Sequence, residues 1–289
     1  MKLIQKEMVA EKLLTQEFLA VYKAFSQELQ QLVTFDQFAE MNIAFNVDVQ
    51  HYELAFQNEF QQLEQYIFLD NEKRKVIVVA FDRDGIIQGL YLKPYVTYPE
   101  SDQRLTVNQY RMPICDEWVV FWGGTNEFYN YHYAYEHMRY AYDLVRVKDG
   151  STYQHNPLRN ENYYAFGADV IAPCSGQIVT VVNDLLDNVP GEMDEENAAG
   201  NYVVIAHEHE EYSMIAHLKQ HSICVKTGDF VNVGQIIGRC GNSGNSSEAH
   251  IHFQVMDSPQ LAQAKSIRIQ FQQGHEPVQG DKIQPLLLK

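Results

Sequence analysis

The spacing of apolar residues changes once along this chain. Leu13, Leu14, Phe18, Val21, Tyr22, Phe25 and Leu29 fall at helical intervals, which predicts an amphipathic helix, whole or broken, over residues 2–33. From about Tyr52 the pattern becomes strand-like. "KVIVVAF", "DRDG" and "IIQGLYL" read as two strands joined by a tight Asp-Gly turn. Helices followed by a meander predict an α+β domain over residues 1–100. "KPYVTYPESDQ", with two prolines among polar residues, is the expected linker around residues 93–103.

Residues 101–289 alternate short apolar runs with Gly, Asn and Asp. "WVVFWGG", "RYAYDLVRV", "GQIVTVV", "NYVVIAH", "YSMIAHL", "SICV", "DFVNVGQIIGRCG" and "HIHFQVM" are the strand candidates, as expected of an all-β, antiparallel domain. "NDLLDNVPGEMDEENAAGN" is acidic and broken by Pro and Gly, so it is expected to be a solvated surface loop. No fixed-period repeat interrupts this layout.

Composition narrows the partners. The formal charge of −16 over 289 residues opposes a nucleic-acid or anionic-membrane partner. No run of 18 apolar residues occurs, and the N-terminus lacks an apolar block with a small-residue cleavage site. The expectation is a cytoplasmic chain as the sequence stands, or an extracellular or cell-wall one if a leader is missing. Cys115, Cys174, Cys224 and Cys240 form no C-x-x-C pair and are expected to act as small hydrophobes.

The candidate chemistry lies near the end. In "EAHIHFQV", alternate strand positions put His250 and His252 on one face. An isolated H-x-H is more often solvated than metal-bound. No H-E-x-x-H helix motif is present, so a zinc here would be held on strands. The surrounding run, "MIAHLKQHSICVKTGDFVNVGQIIGRCGNSGNSSEAHIHFQV", is more specific. It resembles the C-terminal signature of the lysostaphin-type zinc metalloendopeptidases, the peptidoglycan-hydrolase family: His-Leu, a V-K-x-G-D-x-V-x-x-G-Q-x-I-G hairpin, G-N-S-G, then H-x-H-F. "FGADVIAPCSGQIVTVV" and "GNYVVIAHE" resemble strands of the same family, and the likeness extends over about residues 116–257.

That resemblance implies a peptidase domain over residues 101–289, one Zn2+ per chain and a peptide or peptidoglycan-like substrate. The N-terminal domain is similar, more loosely, to nuclear-transport-factor-like accessory modules, in which helices pack on a curved antiparallel sheet. It would serve binding or homodimerisation. The family holds its metal with a His and an Asp four residues apart and with the second His of H-x-H. Here Asp143 is the expected Asp, but Arg139 stands four residues earlier and cannot bind zinc. Asp169 aligns with a proline of the family pattern. The nearest imidazoles are His137 and His132, and "WGGTNEFYNYH" suits a loop lining a site. N-x-H followed by R-x-A-x-D also resembles a subgroup of the family. His132, Asp143 and His252 are therefore the expected ligands, with His217 and His250 implied as proton-handling residues beside the scissile carbonyl.

Two other classes stay open. One is a catalytically inactive module that keeps the groove without a functional metal. The other is a phosphotransfer protein using His217 and His250, since the hairpin also resembles barrel-sandwich domains. Other features have plainer accounts. His207 and His209 are expected in a solvated turn, the tyrosines between residues 129 and 142 in either a stacking platform or strand packing, and Asn130, Asn242 and Asn245 in turns.

Overall fold

The predicted N-terminal helix is three short ones in the computed structural model, which describes residues 4–60 and 63–286. Residues 2 and 3 of that prediction lie outside the described residues. The helices are α1 (Val9–Leu14), α2 (Phe18–Tyr22) and α3 (Gln27–Leu32). Gln16, at φ 64°, turns the chain out of α1. The Leu29 N–H donates to Ser26 Oγ at 3.2 Å and so caps the start of α3. A fourth helix, α4 (Phe35–Phe45), went unpredicted although Thr34 and Gln37 form a reciprocal capping box at its start.

Four strands follow, β1 (Tyr52–Phe60), β2 (Leu63–Asp70), β3 (Lys75–Phe81) and β4 (Ile87–Pro94), in an antiparallel sheet of order β1-β2-β3-β4. In the β3–β4 turn, Asp82 Oδ1 accepts the Asp84 and Ile86 N–H groups, each at 2.9 Å, and Gly85 takes φ 75°. Val9, Leu13, Val21, Phe25 and Phe38 meet Ile77, Val79 and Phe81 in the core of this unit. The chain divides into Met1–Thr97 and Tyr98–Lys289. Among the described residues, no helix is long and apolar enough to cross a membrane.

The second unit begins with α5 (Pro99–Asp102), within the predicted linker, and is otherwise mostly β: β5 (Leu105–Tyr110), β6 (Trp118–Trp122), β7 (Tyr142–Val145), β8 (Asp169–Ile171), β9 (Gly176–Val182), β10 (Asn201–Ala206), β11 (Tyr212–Leu218), β12 (Phe230–Val231), β13 (Ile236–Arg239), β14 (Ile251–Met256), β15 (Arg268–Phe271) and β16 (Lys282–Ile283). Its main sheet is antiparallel, in the order β12-β9-β10-β11-β14-β7-β6-β16. Two features depart from the sequence expectation. β5 and β15 pair in parallel. "SICV" joins no ladder, and its Cys224 N–H reaches Ile237 O at 3.1 Å as an isolated bond.

The central strands are buried on both faces. Val203, Ile205, Ile215, Ile251, Phe253 and Val255 enter the main core, whereas the alternate residues Val204, Met214, Ala216 and Met256 form a smaller apolar cluster. That second face carries the candidate site.

Candidate metal centre

Strand register assembles the site. Asp143 on β7 and His252 on β14 are direct cross-strand partners, and Ala216, next to His217 on β11, lies opposite His252 on its other side. His132 arrives from a short 3-10 turn, Tyr131–Ala134, in the loop between β6 and β7. One donor atom from each of His132, Asp143 and His252 lies within 4.8 Å of the others, and all three residues are buried. His132 Nε2 stands 3.5 Å from Asp143 Oδ2, and His252 Nδ1 stands 3.0 Å from Asp143 Oδ1. Asp169 lies elsewhere, paired with Arg239 at 3.4 Å.

The tautomers follow from the outer hydrogen bonds. Asn130 Nδ2 donates to Gly124 O, Arg139 O and Ala141 O at 3.0–3.3 Å, which fixes the orientation of the amide. Its Oδ1 therefore accepts from the His132 backbone N–H at 3.1 Å and from His132 Nδ1–H at 2.7 Å. Likewise Gln254 Nε2 donates to His137 O at 3.0 Å, leaving its Oε1 to accept His252 Nε2–H at 2.9 Å. The inward nitrogens, His132 Nε2 and His252 Nδ1, are left facing Asp143. Hydrogen bonds of this kind fix ring orientation, as a metal site would require of its imidazoles.

His132 Nε2 is the observation that tests the fit to a metal. It is buried without a hydrogen-bond partner. Burial pushes the His132 pKa down to about 3, so the ring is neutral at pH 7 and its bare lone pair faces a carboxylate oxygen. Two acceptors opposed in a buried space favour a cation between them. Burial alone would raise the Asp143 pKa, yet the surrounding His132, His250 and His252 hold it far below the usual carboxylate range. Burial lowers the His252 pKa, but the hydrogen bond and charge of Asp143 outweigh it and raise the value overall. Two imidazoles and a carboxylate are the donor set of a zinc site with an open position.

His217 and His250 complete the cluster, their rings 4.6 Å apart. His217 Nδ1–H donates to Ser243 O and His250 Nδ1–H donates to Glu248 O, each at 2.8 Å, so both Nε2 atoms are unencumbered. His250 Nε2 lies 3.7 Å from Asp143 Oδ1. Burial holds the His217 pKa well below its ordinary value. The backbone of His217 adopts φ 59°. A non-glycine residue in this left-handed region marks local strain, which collects at functional sites.

Residues around the cluster resolve several open readings. Arg139 points away, with its Nε–H on Tyr133 O at 3.0 Å and its guanidinium 3.5 Å above the Tyr98 ring. Tyr133, Tyr140 and Tyr142 are core residues, whereas the exposed Tyr131 lies against His132 with centroids 4.0 Å apart. His207 is not solvated: it bridges Ser175 O at 2.9 Å and Ser213 Oγ at 2.8 Å. Gln254 has no motif of its own in the sequence, and its place two residues after His252 on the same strand face is the signal that marks it.

Residues 162–266 match peptidase family M23. This segment of the C-terminal unit is M23-like. The matched span contains His217, His250 and His252, while His132 and Asp143 precede it. An uncharacterized metalloprotease of Buchnera aphidicola is 29% identical over 113 residues, covering 39% of this chain and 28% of that protein. The chain thus spans little more than a quarter of that relative. Lysostaphin of Staphylococcus simulans, an antimicrobial peptidase, is 27% identical over 46% of this chain and 43% of its own, with a TM-score of 0.29. Its catalytic domain alone is 28% identical over 41% of this chain and 87% of its own, with a TM-score of 0.28.

Proposed function

We propose that this M23 unit is a zinc-dependent endopeptidase that hydrolyses peptide bonds of peptidoglycan-type cross-bridges. The observation that carries the reading is the buried, unpartnered His132 Nε2 facing Asp143 and His252, with two further free imidazole nitrogens alongside. His132 Nε2, an Asp143 oxygen and His252 Nδ1 would hold the ion. Bound there, it would supply Lewis acidity that polarises a carbonyl and acidifies water.

The chain's own groups do the rest. Asn130 and Gln254 keep the two ligand rings in the tautomers that offer lone pairs inward. His217 and His250 hold their Nδ1 protons on carbonyls, so each Nε2 is free to take a proton from the attacking water or return one to the leaving amine. No side-chain nucleophile is required. The N-terminal unit, helices beside a four-stranded sheet, is read as a nuclear-transport-factor-like accessory module.

Zinc content and digestion of purified muropeptides test the proposal together. Protein purified without added metal is expected to carry about one zinc per chain, to lose it in His132→Ala and Asp143→Ala, and to release new amino termini from muropeptides. Absence of stoichiometric zinc, with the two variants indistinguishable from the parent, would favour an inactive module that keeps only the groove.

A further inference from the structure

Residues 133–142 separate His132 from Asp143, and the two ends of that loop are fixed unequally. Asp143 sits in the sheet, paired with His252 on one side and Trp122 on the other. His132 sits on a single 3-10 turn, Tyr131–Ala134, outside the sheet. One isolated helical turn is not stable by itself, so its position depends on outside partners. Tyr133, the residue after His132, reaches one. It is buried, and its hydroxyl donates to Asp102 Oδ2 at 2.8 Å while accepting the Tyr98 N–H at 3.1 Å. The other carboxylate oxygen, Asp102 Oδ1, accepts the Tyr140 hydroxyl, also at 2.8 Å. Arg268 gives Nε and Nη2 to Glu276 and Nη1 to the Asp102 main-chain carbonyl, which anchors α5 and leaves the carboxylate to the two phenols.

We propose that Asp102 is a positioning residue for the metal centre: through the Tyr133 hydroxyl it holds the turn that presents His132 to Asp143 and His252. The proposal rests on the metal-site reading of that cluster. The two phenols are not equivalent in this role. Tyr133 adjoins His132, and its main-chain bonds, to Asn130 O and from Arg139 Nε, stay within the loop. Tyr140 has a second anchor, its N–H on Ser266 Oγ at 3.1 Å, and leads into a strand already set by register. A role in general stability would weigh on both phenols alike, whereas positioning of His132 runs through Tyr133 alone.

The test uses the full chain with Asp102→Ala, Tyr133→Phe and Tyr140→Phe, and with the first two combined. Zinc affinity in chelator competition is expected to fall about 10-fold or more in Asp102→Ala and in Tyr133→Phe. The double variant is expected to lose no more than either single one, because both remove the same connection. Tyr140→Phe is expected to lower the melting temperature and keep the parent's zinc affinity. Parental affinity in Tyr133→Phe, additive losses in the double variant, or an equal loss in Tyr140→Phe overturns the proposal. Tyr133→Phe keeps its ring in the core, so it decides the matter even where Asp102→Ala does not fold. A second readout needs no metal. The His132 Nδ1–H held by Asn130 should give a slowly exchanging imidazole proton resonance, kept in Tyr140→Phe and lost in Asp102→Ala and Tyr133→Phe; its retention in all three overturns the proposal. Muropeptide digestion stands apart from both readouts. This pattern of zinc loss around an inactive parent leaves the role of Asp102 standing and removes the hydrolase reading. An active parent whose zinc affinity none of the variants changes does the reverse.

Discussion

At the scale of single residues, Asn130 explains how His132, the proposed ligand, can sit eleven positions before Asp143. Its amide ties together the Gly124 turn, the Arg139–Ala141 segment leading into β7, and the His132 ring. Removing it frees His132 to present the wrong nitrogen. Asn130→Ala is expected to weaken zinc affinity by about 10–100-fold in chelator competition, the usual cost of losing a hydrogen bond that orients a metal-binding imidazole. Unchanged affinity would mean that the loop holds His132 without the amide. His217 invites a different comparison. At φ 59° its backbone favours glycine. His217→Gly and His217→Ala should therefore both lose peptidase activity, while the Gly variant is the more stable by about 1 kcal/mol in denaturant titration. Equal stabilities would show that the strain is negligible.

The acidic segment before β10 is less solvated than its composition suggests. Asp187 Oδ1 accepts the Asn242 N–H at 2.7 Å and Oδ2 the Gln220 N–H at 3.2 Å, while Asn188 Nδ2 donates to Gly244 O and Ser246 O. The loop is thus bolted to the Gly-Asn-Ser-Gly turn whose Ser243 carbonyl orients His217. Asp187→Ala leaves two backbone donors without their partner and should cost about 1–3 kcal/mol. Limited proteolysis within residues 183–200 should accelerate in parallel; resistance equal to the parent's would show that the remaining bonds suffice. This loop also marks where sequence patterns stop being informative. Strand period places the His250–His252 face, because alternation is a local property. Helix breaks at Gln16 and Ser26 and the parallel β5–β15 pair depend on partners far along the chain or on a single dihedral angle. The capping box of α4 was local and readable, yet the weak amphipathic pattern behind it hid the helix. Asn130 and Gln254 show the same limit at the site: both look like ordinary polar residues until register and loop closure bring an imidazole to each.

For the whole molecule, protonation links folding to metal. Three imidazoles, His132, His217 and His207, have folded pKa values lowered chiefly by burial from an ordinary 6.5. Below pH 6.5 the unfolded chain takes up protons that these folded residues refuse, so each removes up to about 1.4 kcal/mol of stability per pH unit as acidity rises. For His132 that window reaches down to about pH 3. His252 has the opposite sign. Its raised pKa contributes stability that is complete below pH 6.5 and is lost as pH rises through the folded value, so it offsets none of the further decline below 6.5. Asp143, held low, adds its own loss only below the ordinary carboxylate pKa of 3.8. Metal-free protein should therefore melt at progressively lower temperature from pH 6.5 towards pH 4. Zinc adds a second dependence. Below its raised pKa the metal-free His252 is an imidazolium, donating Nε2–H to Gln254 and Nδ1–H to Asp143 Oδ1, and the Nδ1 proton must leave before that nitrogen can bind an ion. Calorimetric titration at pH 6 in buffers of different ionisation enthalpy should show about one proton released per Zn2+, with affinity falling about tenfold per pH unit below the His252 pKa. A release of zero would remove His252 from the ligand set, whereas a value near one joins the proton inventory of the fold to the chemistry proposed for its centre.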